Sequence, residues 1–533
     1  MRFLAKCCLA ASLFLALVSA DAFAGSKNTT VTGVVTDGSG VSLSGIPVTL
    51  THKISDISVT GLSDKDGRFD IRLSKIGRYV VQAGGRLWDS EAAELKIPEN
   101  EAQTLDIEVS RSKTMMEDLP SSQWMSLLPD GDMKREFLVN CTSCHEISFP
   151  RVTKDGVFRD MEKWSEAIAL MRSIDEYGLT PPDFDDAVYA EWLAKHLTEE
   201  AIANAEPLAP ADRNALKAQF TEYPVPASPA LPHDLVVGPD RRIWVTGFLN
   251  DEIWALSPES GETEVFPINE KVDTLGQVRA LEFKPDGKLV MLLGGTNAVV
   301  ELDPETGAYQ TFDAGMYGHS LDLDSHGNVW FNNYFGKPEQ IGEIDGKTGE
   351  LTVHQIPSAY LSEAEGLPLP YGLQVDQDDI LWNTGLASNQ LVRFNTHTGD
   401  ANSYEMPTPN SGPRRPAIGP DGMLWIPEWN TGKLAKFDPK TEEFTEYQPS
   451  LSTIGPYDVE VNQKTGEVWM SGSLSSSIFR FKPKTEKWTE FRWPTEPAYV
   501  RHIAVDEETG DVWSAYSSLP EAKAKIVRLQ PNG

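Results

Sequence analysis

The chain has 533 residues, of which 40% are hydrophobic and 24% charged, a composition typical of a globular protein with several domains. Its formal net charge of −32 at pH 7 makes binding to nucleic-acid phosphates or acidic lipid unfavourable. Four cysteines are too few for a disulfide-built scaffold, and 41 glycines with 36 prolines favour a turn-rich, mainly β protein.

Residues 1–24 have the features of a secretory signal peptide. The basic residues Arg2 and Lys6 precede an apolar run over residues 7–18, and residues 22–24 form a small-x-small cleavage site. The apolar run is short for a bilayer span, although a retained anchor is the alternative interpretation. We therefore expect an exported protein, periplasmic or secreted, without a membrane anchor.

Residues 28–110 alternate short β-type runs with Asp-Gly turns, as in Val31-Thr32-Gly33-Val34-Val35 and the turn at residues 64–67. This period-two pattern predicts a small antiparallel β-sandwich. The segment resembles the carboxypeptidase-regulatory-like, transthyretin-like family, whose members generally serve as spacer or adhesion modules. Asp64 and Asp66 could suggest calcium, but they are better interpreted as turn residues.

Residues 115–200 are predicted to be helical, and the Ala- and Pro-rich residues 201–215 form a linker. The helical segment contains the run Cys141-Thr142-Ser143-Cys144-His145, the attachment pattern of a c-type haem. The alternatives are a redox dithiol, which lacks its usual βαβ context here, and half of a zinc site, which lacks a second cysteine pair. The segment looks like a compact cytochrome c domain, so Cys141 and Cys144 would hold one covalent haem and His145 would be the proximal iron ligand.

The second axial ligand of that haem is less directly indicated. A methionine thioether is usual in electron transfer because it raises the reduction potential. Met171, near the end of its predicted helix, is the preferred candidate, and core filling is the alternative role for its side chain. Met161, His196 and Met133 are weaker candidates.

Residues 216–533 contain a repeat of about 40–45 residues, with an inner strand, a Pro-Asp-Gly type of turn, a strand that usually holds Trp, and two further strands. Seven such units predict a seven-bladed β-propeller. The last unit stops after its third strand, at Arg528-Leu529, while residues 220–224 copy the fourth strand of the fifth unit, residues 444–448. We therefore expect the N-terminal strand to close the ring within the last blade.

One residue of each unit occupies the same inner-strand position, close to the central channel. All seven are polar or aromatic, and they are His233, Arg279, His319, Tyr371, Arg414, Tyr457 and Arg501. Three Arg and two His in an acidic protein suggest an anion site, because the guanidinium fork matches oxyanions. The alternative is that channel positions are simply polar and hydrated. Arg415 and His502 lie beside this ring, and Glu428 would approach the same mouth.

The propeller resembles the virginiamycin B lyase (streptogramin lyase) family over residues 220–530, with repeats such as Gly419-Pro420-Asp421-Gly422-Met423-Leu424-Trp425. The resemblance implies a His base beside a magnesium ion held by glutamates. Glu428 matches one of those glutamates, but Arg414 stands where the His is expected and Gly412 where the other Glu is expected. A permanently protonated Arg is a poor base. His319 has Asn333, not a carboxylate, at the corresponding later position.

Three functions follow as hypotheses. The first is a periplasmic c-type haem protein in electron transfer, whose propeller binds a small, anionic substrate or a redox partner and which passes electrons to an external carrier. The second is a metal-dependent C–O lyase of the virginiamycin B lyase kind, with magnesium. The third is a non-catalytic interaction protein. A haem favours the first, because a lyase does not need an electron carrier, whereas the fold alone does not decide.

Overall fold

The computed structural model describes residues 29–85, 87–99, 101–112, 116–142, 145–174, 185–205, 209–268, 274–356, 367–518 and 523–533. The proposed signal peptide, residues 1–24, lies outside these ranges. Within them, no helix has the length and apolar character needed to cross a bilayer.

The N-terminal domain is a β-sandwich whose strands alternate buried and exposed residues, as in β4. Valine, isoleucine and leucine on the inner faces form its core, including Val31, Val48 and Ile71. Asp64 Oδ1 accepts hydrogen bonds from the backbone N–H groups of Asp66 and Arg68, at 2.8 and 2.9 Å, as a turn residue does. The strands are β1 Thr29–Asp37, β2 Pro47–His52, β3 Ser58–Leu62, β4 Arg68–Leu73, β5 Gly77–Gly85, β6 Trp88–Asp89, β7 Ala93–Ile97, β8 Gln103–Thr104 and β9 Ile107–Arg111.

The described part of residues 116–205 forms short helices and one two-stranded hairpin. The elements are α1 Ser121–Ser126, α2 Asp132–Cys141, α3 Phe149–Val152, β10 Thr153–Lys154, β11 Val157–Phe158, α4 Met161–Ile174, α5 Asp186–His196 and α6 Glu199–Ala203. The described helices do not by themselves identify the expected cytochrome c domain. Most residues of their buried cluster, such as Trp124 and Leu138, come from this segment, and the cluster continues onto the propeller through Tyr371, Trp429, Tyr457, Leu474 and Tyr499.

The propeller contains six separate four-stranded antiparallel sheets within the described residues. In chain order they are β13 Pro232–Val237, β14 Ile243–Gly247, β15 Glu252–Leu256, β16 Thr263–Pro267; β17 Val278–Phe283, β18 Leu289–Leu293, β19 Ala298–Leu302, β20 Tyr309–Asp313; β21 Gly318–Leu323, β22 Val329–Asn333, β23 Gln340–Ile344, β24 Leu351–Gln355; β25 Pro370–Val375, β26 Ile380–Gly385, β27 Gln390–Asn395, β28 Ala401–Glu405; β29 Ala417–Ile418, β30 Leu424–Glu428, β31 Lys433–Asp438, β32 Glu443–Tyr447; and β33 Pro456–Val461, β34 Val468–Gly472, β35 Ser477–Lys482, β36 Lys487–Arg492.

The seventh repeat does not form a separate sheet, so six separate blades stand where the sequence predicted a seven-bladed propeller. Its strands are β37 Tyr499–Val505, β38 Val512–Ser518 and β39 Lys523–Gln530, and β39 pairs with the N-terminal strand β12, Gln219–Pro224. This pairing is the closure that the sequence predicted. However, the other edge of β12 pairs with β3 of the sandwich, from Gln219 opposite Gly61 to Glu222 opposite Ser58. The four strands therefore belong to a thirteen-stranded sheet that joins the two domains.

In two blades the Asp and Trp of the repeat are joined by a hydrogen bond. The Asp of the turn caps its own loop and also accepts a hydrogen bond from the indole N–H of the Trp on the next strand. Trp330 Nε1 donates to Asp324 Oδ2 and Trp382 Nε1 to Asp376 Oδ2, both at 3.0 Å. Each Trp is buried, so the bond satisfies a donor that burial would otherwise leave without a partner.

Candidate functional site

The end of helix α2, where the Cys-x-x-Cys-His motif begins, lies against one mouth of the propeller. Helix α2 ends at Cys141, and the carbonyl oxygen of the next residue, Thr142, accepts a hydrogen bond from the hydroxyl of Tyr499 at 3.2 Å. One turn earlier, the carbonyl oxygen of Leu138 accepts from the indole N–H of Trp429 at 3.5 Å. Both propeller side chains are buried. The two contacts fix the end of α2 on the mouth.

His145 has the features expected of a neutral metal-binding imidazole. Its Nδ1 lies 3.0 Å from the carbonyl oxygen of Glu146, an arrangement that favours a proton on Nδ1 and leaves Nε2 as the ligand atom. Burial is the main cause that lowers the pKa of His145 to about 4, and the cations Arg151 and Arg501 lower it further. The imidazole is therefore neutral at physiological pH, as iron ligation requires.

The shared cluster also holds two buried indole donors. Trp124 and Trp164 are buried there, and their indole Nε1 atoms have no hydrogen-bond partner among the described residues. Cys141 is half-buried at the end of α2, whereas Cys144 lies outside the described residues.

The candidates for the second axial ligand occupy different environments. Met171 and Met161, on α4, are 37% and 46% exposed. Met133 packs partly buried against the shared cluster, and His196 lies edge-on to Trp192 with ring centroids 6.1 Å apart. The choice of Met171 stays a prediction.

The structure brings the predicted ring residues together at the mouth, and all seven are buried. The His319 and Tyr371 rings lie 4.0 Å apart, and His233 and His319 6.4 Å apart. Tyr371 and Tyr457 share a hydrogen bond between their hydroxyls at 2.5 Å. Arg279 bonds Tyr317, and Arg501 lies over Tyr499, 4.6 Å from the ring centroid.

Arg414 is the centre of an aromatic layer on this ring. Its guanidinium carbon lies 3.9 Å from the ring centroid of Trp429, 4.3 Å from that of Tyr457 and 4.9 Å from that of Tyr371. Its Nη1 also donates to the Tyr371 hydroxyl at 3.2 Å. Cation–π attraction therefore stabilises a fully buried charge. This layer, Tyr371, Arg414, Trp429, Tyr457 and Tyr499, faces the helical segment, and we call it the aromatic layer.

A second layer lies one residue further along the inner strands, and we call it the charged layer: Asp234, Arg415, Asp458 and His502. Arg415 forms an ion pair with Asp234, whose Oδ2 also lies 2.5 Å from His233 Nδ1. His502 Nε2 lies 3.8 Å from Asp458 Oδ2. Burial raises the pKa of Asp458, whereas Arg415 and His233 lower that of Asp234 well below its usual range despite its burial.

The charged layer lines a cavity of about 200 Å³ inside the channel. Its walls include all four residues of the layer together with Glu282, Gln374 and Glu460, three positions beyond the ring on their strands. Burial, aided by Asp322, raises the pKa of Glu282 to about 8, and burial raises the pKa of Glu460 well above its usual value. Glu282 is therefore protonated at neutral pH, and burial favours the uncharged form of Glu460 as well.

Glu428 does not take the position expected from the sequence. It lies at the same end of its blade, but its Oε2 accepts a hydrogen bond from Thr431 at 2.6 Å, and it is coupled electrostatically to Glu446 on the outermost strand. Burial raises its pKa to about 8. Gly412 and Arg414 supply neither the second carboxylate nor the base of a lyase site. Asn333 hydrogen-bonds Gln340 at 2.9 Å, also within its own blade.

Sequence reasoning missed two parts of this site. Trp429 and Tyr499 look like ordinary blade residues, and only the folded chain shows that they receive the end of α2. The acids Asp234 and Asp458 were also missed. Their signal was present, because each directly follows a ring residue, as Arg415 and His502 do.

Comparisons with known proteins agree with the two β domains. Residues 361–533 match the model of the virginiamycin B lyase family, and residues 30–110 match that of the carboxypeptidase regulatory-like domain. The chain therefore has a virginiamycin B lyase-like propeller and a carboxypeptidase regulatory-like N-terminal domain. No curated protein matches the chain.

Solved structures show the same fold. A streptogramin B lyase structure is 21% identical with a TM-score of 0.53, and it covers 60% of this chain and 99% of its own. A selenomethionine-substituted virginiamycin B lyase from Staphylococcus aureus is 19% identical, with a TM-score of 0.51 and coverage of 59% and 99%. A catalytically inactive form of that lyase with quinupristin is 20% identical, with a TM-score of 0.52 and the same coverage. At these identities the likeness concerns the fold.

Proposed function

We propose that this protein is an exported c-type haem protein in which the haem exchanges electrons with a small ligand or redox partner at the propeller. The observation that supports the proposal is the contact of the end of α2, where the Cys-x-x-Cys-His motif begins, with Tyr499 and Trp429 at the propeller mouth. This contact brings the start of the motif beside the channel.

Cys141 and Cys144 would hold the haem covalently, and His145 Nε2 would bind the iron. A haem bound there would supply one-electron redox chemistry. The protein's own residues tune the site. Arg501 places a positive charge within electrostatic range of His145, and the shared apolar cluster excludes water from the same region.

The aromatic layer lies between the motif and the cavity. The layer consists of buried aromatic rings and one buried cation. It would separate a ligand in the channel from the haem site by a single layer of side chains. An external carrier would exchange electrons at the exposed side of the helical segment. Magnesium-dependent lyase chemistry has weaker support, because Arg414 lies among aromatic rings where the resemblance requires a base.

The test is the presence of a covalent haem. We expect protein exported from cells with a c-type haem maturation system to keep a haem-specific absorption and peroxidase stain after denaturation and solvent extraction. The double variant Cys141→Ala, Cys144→Ala should lose both signals. Ser143→Ala, within the same motif, should keep them. Colourless wild-type protein under these conditions would contradict the proposal.

A further inference from the structure

The cavity inside the channel contains a cation with unused donors. Arg415 is 6% exposed and pairs with Asp234 through Nη1. Its Nε and Nη2 atoms have no hydrogen-bond partner among the described residues. These two nitrogens carry parallel N–H bonds within the guanidinium plane and form the side-on fork that binds a carboxylate with two parallel hydrogen bonds.

Leaving such donors without an acceptor is unfavourable inside a protein. The four residues of the charged layer all line the cavity, so an acceptor in that space could reach the layer. A volume of about 200 Å³ is small compared with the cavities that hold drug-sized molecules, which limits the ligand to a few heavy atoms.

The acidic residues around the cavity oppose an anion less than their number suggests. Asp234 is paired with Arg415, and burial raises the pKa of Asp458, which favours its uncharged form. At the far end of the cavity, burial raises the pKa of Glu282 to about 8, so this carboxyl keeps its proton at neutral pH, and burial also raises the pKa of Glu460. A protonated carboxyl is a hydrogen-bond donor, so Glu282 does not repel an incoming carboxylate as an ionised acid would.

We propose that the channel cavity binds a small carboxylate of about three to four carbons. The side-on fork of Arg415 would hold the carboxylate group, and Gln374, Glu282 and Glu460 would surround the other end of the ligand. The site lies below the ring, on the side opposite the helical segment. A carboxylate bound there would be the small ligand of the proposed function, and its role in electron transfer rests on that function. The binding itself does not require a haem.

The experiment is isothermal titration calorimetry of the full-length protein with three matched probes: propionate, propionamide and n-propylammonium. They share a three-carbon skeleton and differ in the charge of one end. We expect propionate to bind and the two others to bind at least tenfold more weakly. Because binding is measured by heat, loss of propionate binding in haem-loaded protein would overturn this inference and leave the haem proposal standing. Propionate binding to protein that carries no haem would support this inference and contradict the haem proposal.

Two variants distinguish loss of the Arg415 fork from a general loss of protein stability. Arg415→Lys keeps a cation opposite Asp234 but lacks the fork, and should weaken propionate binding about tenfold or more. Ala504→Leu fills the cavity that Ala504 lines and should abolish binding, which decides the matter if the Lys variant does not fold. Arg242→Lys alters an arginine paired with Asp240 and Glu264 at the blade surface, and should bind as the wild type does.

The inference fails if propionate does not bind at millimolar concentration, or if propylammonium binds in preference to it. It also fails if propionate binds equally well to the Ala504→Leu variant, because the ligand would then occupy another place.

Discussion

Arg414 and Arg415 are neighbours in sequence and both are buried. They lie in two layers of the channel, and each layer stabilises a buried cation in a different way. The aromatic layer surrounds Arg414 with the faces of Tyr371, Trp429 and Tyr457. The charged layer pairs Arg415 with the carboxylate of Asp234. Successive side chains of an extended segment point in different directions, and Arg414 and Arg415 lie just before β29. One step along the chain therefore takes a cation from the side of the helical segment to the side of the cavity.

The difference shows what each side of the ring is suited to. The aromatic layer presents rings and apolar surface to the helical segment, and Tyr371, Trp429, Tyr457 and Tyr499 all belong to the cluster shared with it. The charged layer keeps ionisable groups beside a cavity. The side nearer the cysteine motif is therefore suited to docking of the helical segment, and the side further away is suited to the ligand binding that we propose.

The largest effect is expected from breaking the ion pair of the charged layer. Arg415→Met leaves Asp234 buried without its counterion, and should lower the free energy of unfolding by about 3–5 kcal/mol. The double variant with Asp234→Asn should recover much of that loss, because no buried charge is then uncompensated. Urea unfolding followed by tryptophan fluorescence measures both. Equal losses in the single and double variants would contradict the pairing.

Glu282, at the far end of the cavity, should make the free energy of unfolding depend on pH. The pKa of Glu282 is raised to about 8 in the folded protein, while the unfolded chain has an ordinary glutamate pKa near 4.5. Above pH 4.5 the unfolded state loses the proton and the folded state retains it, so the free energy of unfolding falls until about pH 8 and then levels off.

We expect Glu282→Gln to reduce that fall by on the order of 2 kcal/mol between pH 5 and pH 8, measured by urea unfolding at each pH. Tyr371→Phe, in the aromatic layer, should leave the slope unchanged, because no carboxyl is removed. An unaltered slope in the Gln variant would show that Glu282 is ionised in the folded protein.

A smaller loss is expected from the aromatic layer. Arg414→Met removes the cation and keeps a long apolar side chain among the rings, so the cost should be about 1–2 kcal/mol, the range of a desolvated cation–π contact. The measurement is the same urea unfolding curve. A larger cost than that of Arg415→Met would reverse the ranking of the two layers.

The smallest effect concerns the contact between propeller and motif. Tyr499→Phe removes the hydrogen bond to the carbonyl oxygen of Thr142 and should cost about 1 kcal/mol. Amide hydrogen exchange at the end of α2 should become faster. Tyr309→Phe, an exposed site on another blade, is the matched control and should change neither quantity.

The repeat could be found from sequence because each blade is a local unit with its own Asp turn and Trp. The ring positions followed from aligning those units, and the closing strand from the copy of residues 444–448 at residues 220–224. The six separate sheets, with a seventh set of strands continuing into the sandwich, could not be foreseen, because nothing in β3 indicates pairing with a strand about 160 residues later.

The helical segment shows a second feature that could not be predicted from the sequence, namely which surface its apolar residues pack against. Its helices and cysteine motif are local patterns, but a shared core with the propeller depends on contacts between residues far apart in the chain. Leu138 and Trp429 are 291 residues apart, and Thr142 and Tyr499 are 357 apart. An apolar residue in a short helix predicts burial without naming the surface that covers it. The partner of Arg415, 181 residues away, was hidden for the same reason.

The most direct test of the central claim, that the cysteine motif and the propeller mouth form one site, is the reduction potential of the Arg501→Gln variant. Arg501 places a positive charge within electrostatic range of His145, and such a charge favours the reduced, less positive iron. We predict that the variant keeps its covalent haem and titrates at a lower midpoint potential than the wild type, whereas Arg242→Gln does not change. An identical potential in the wild type and the Arg501→Gln variant would contradict the account.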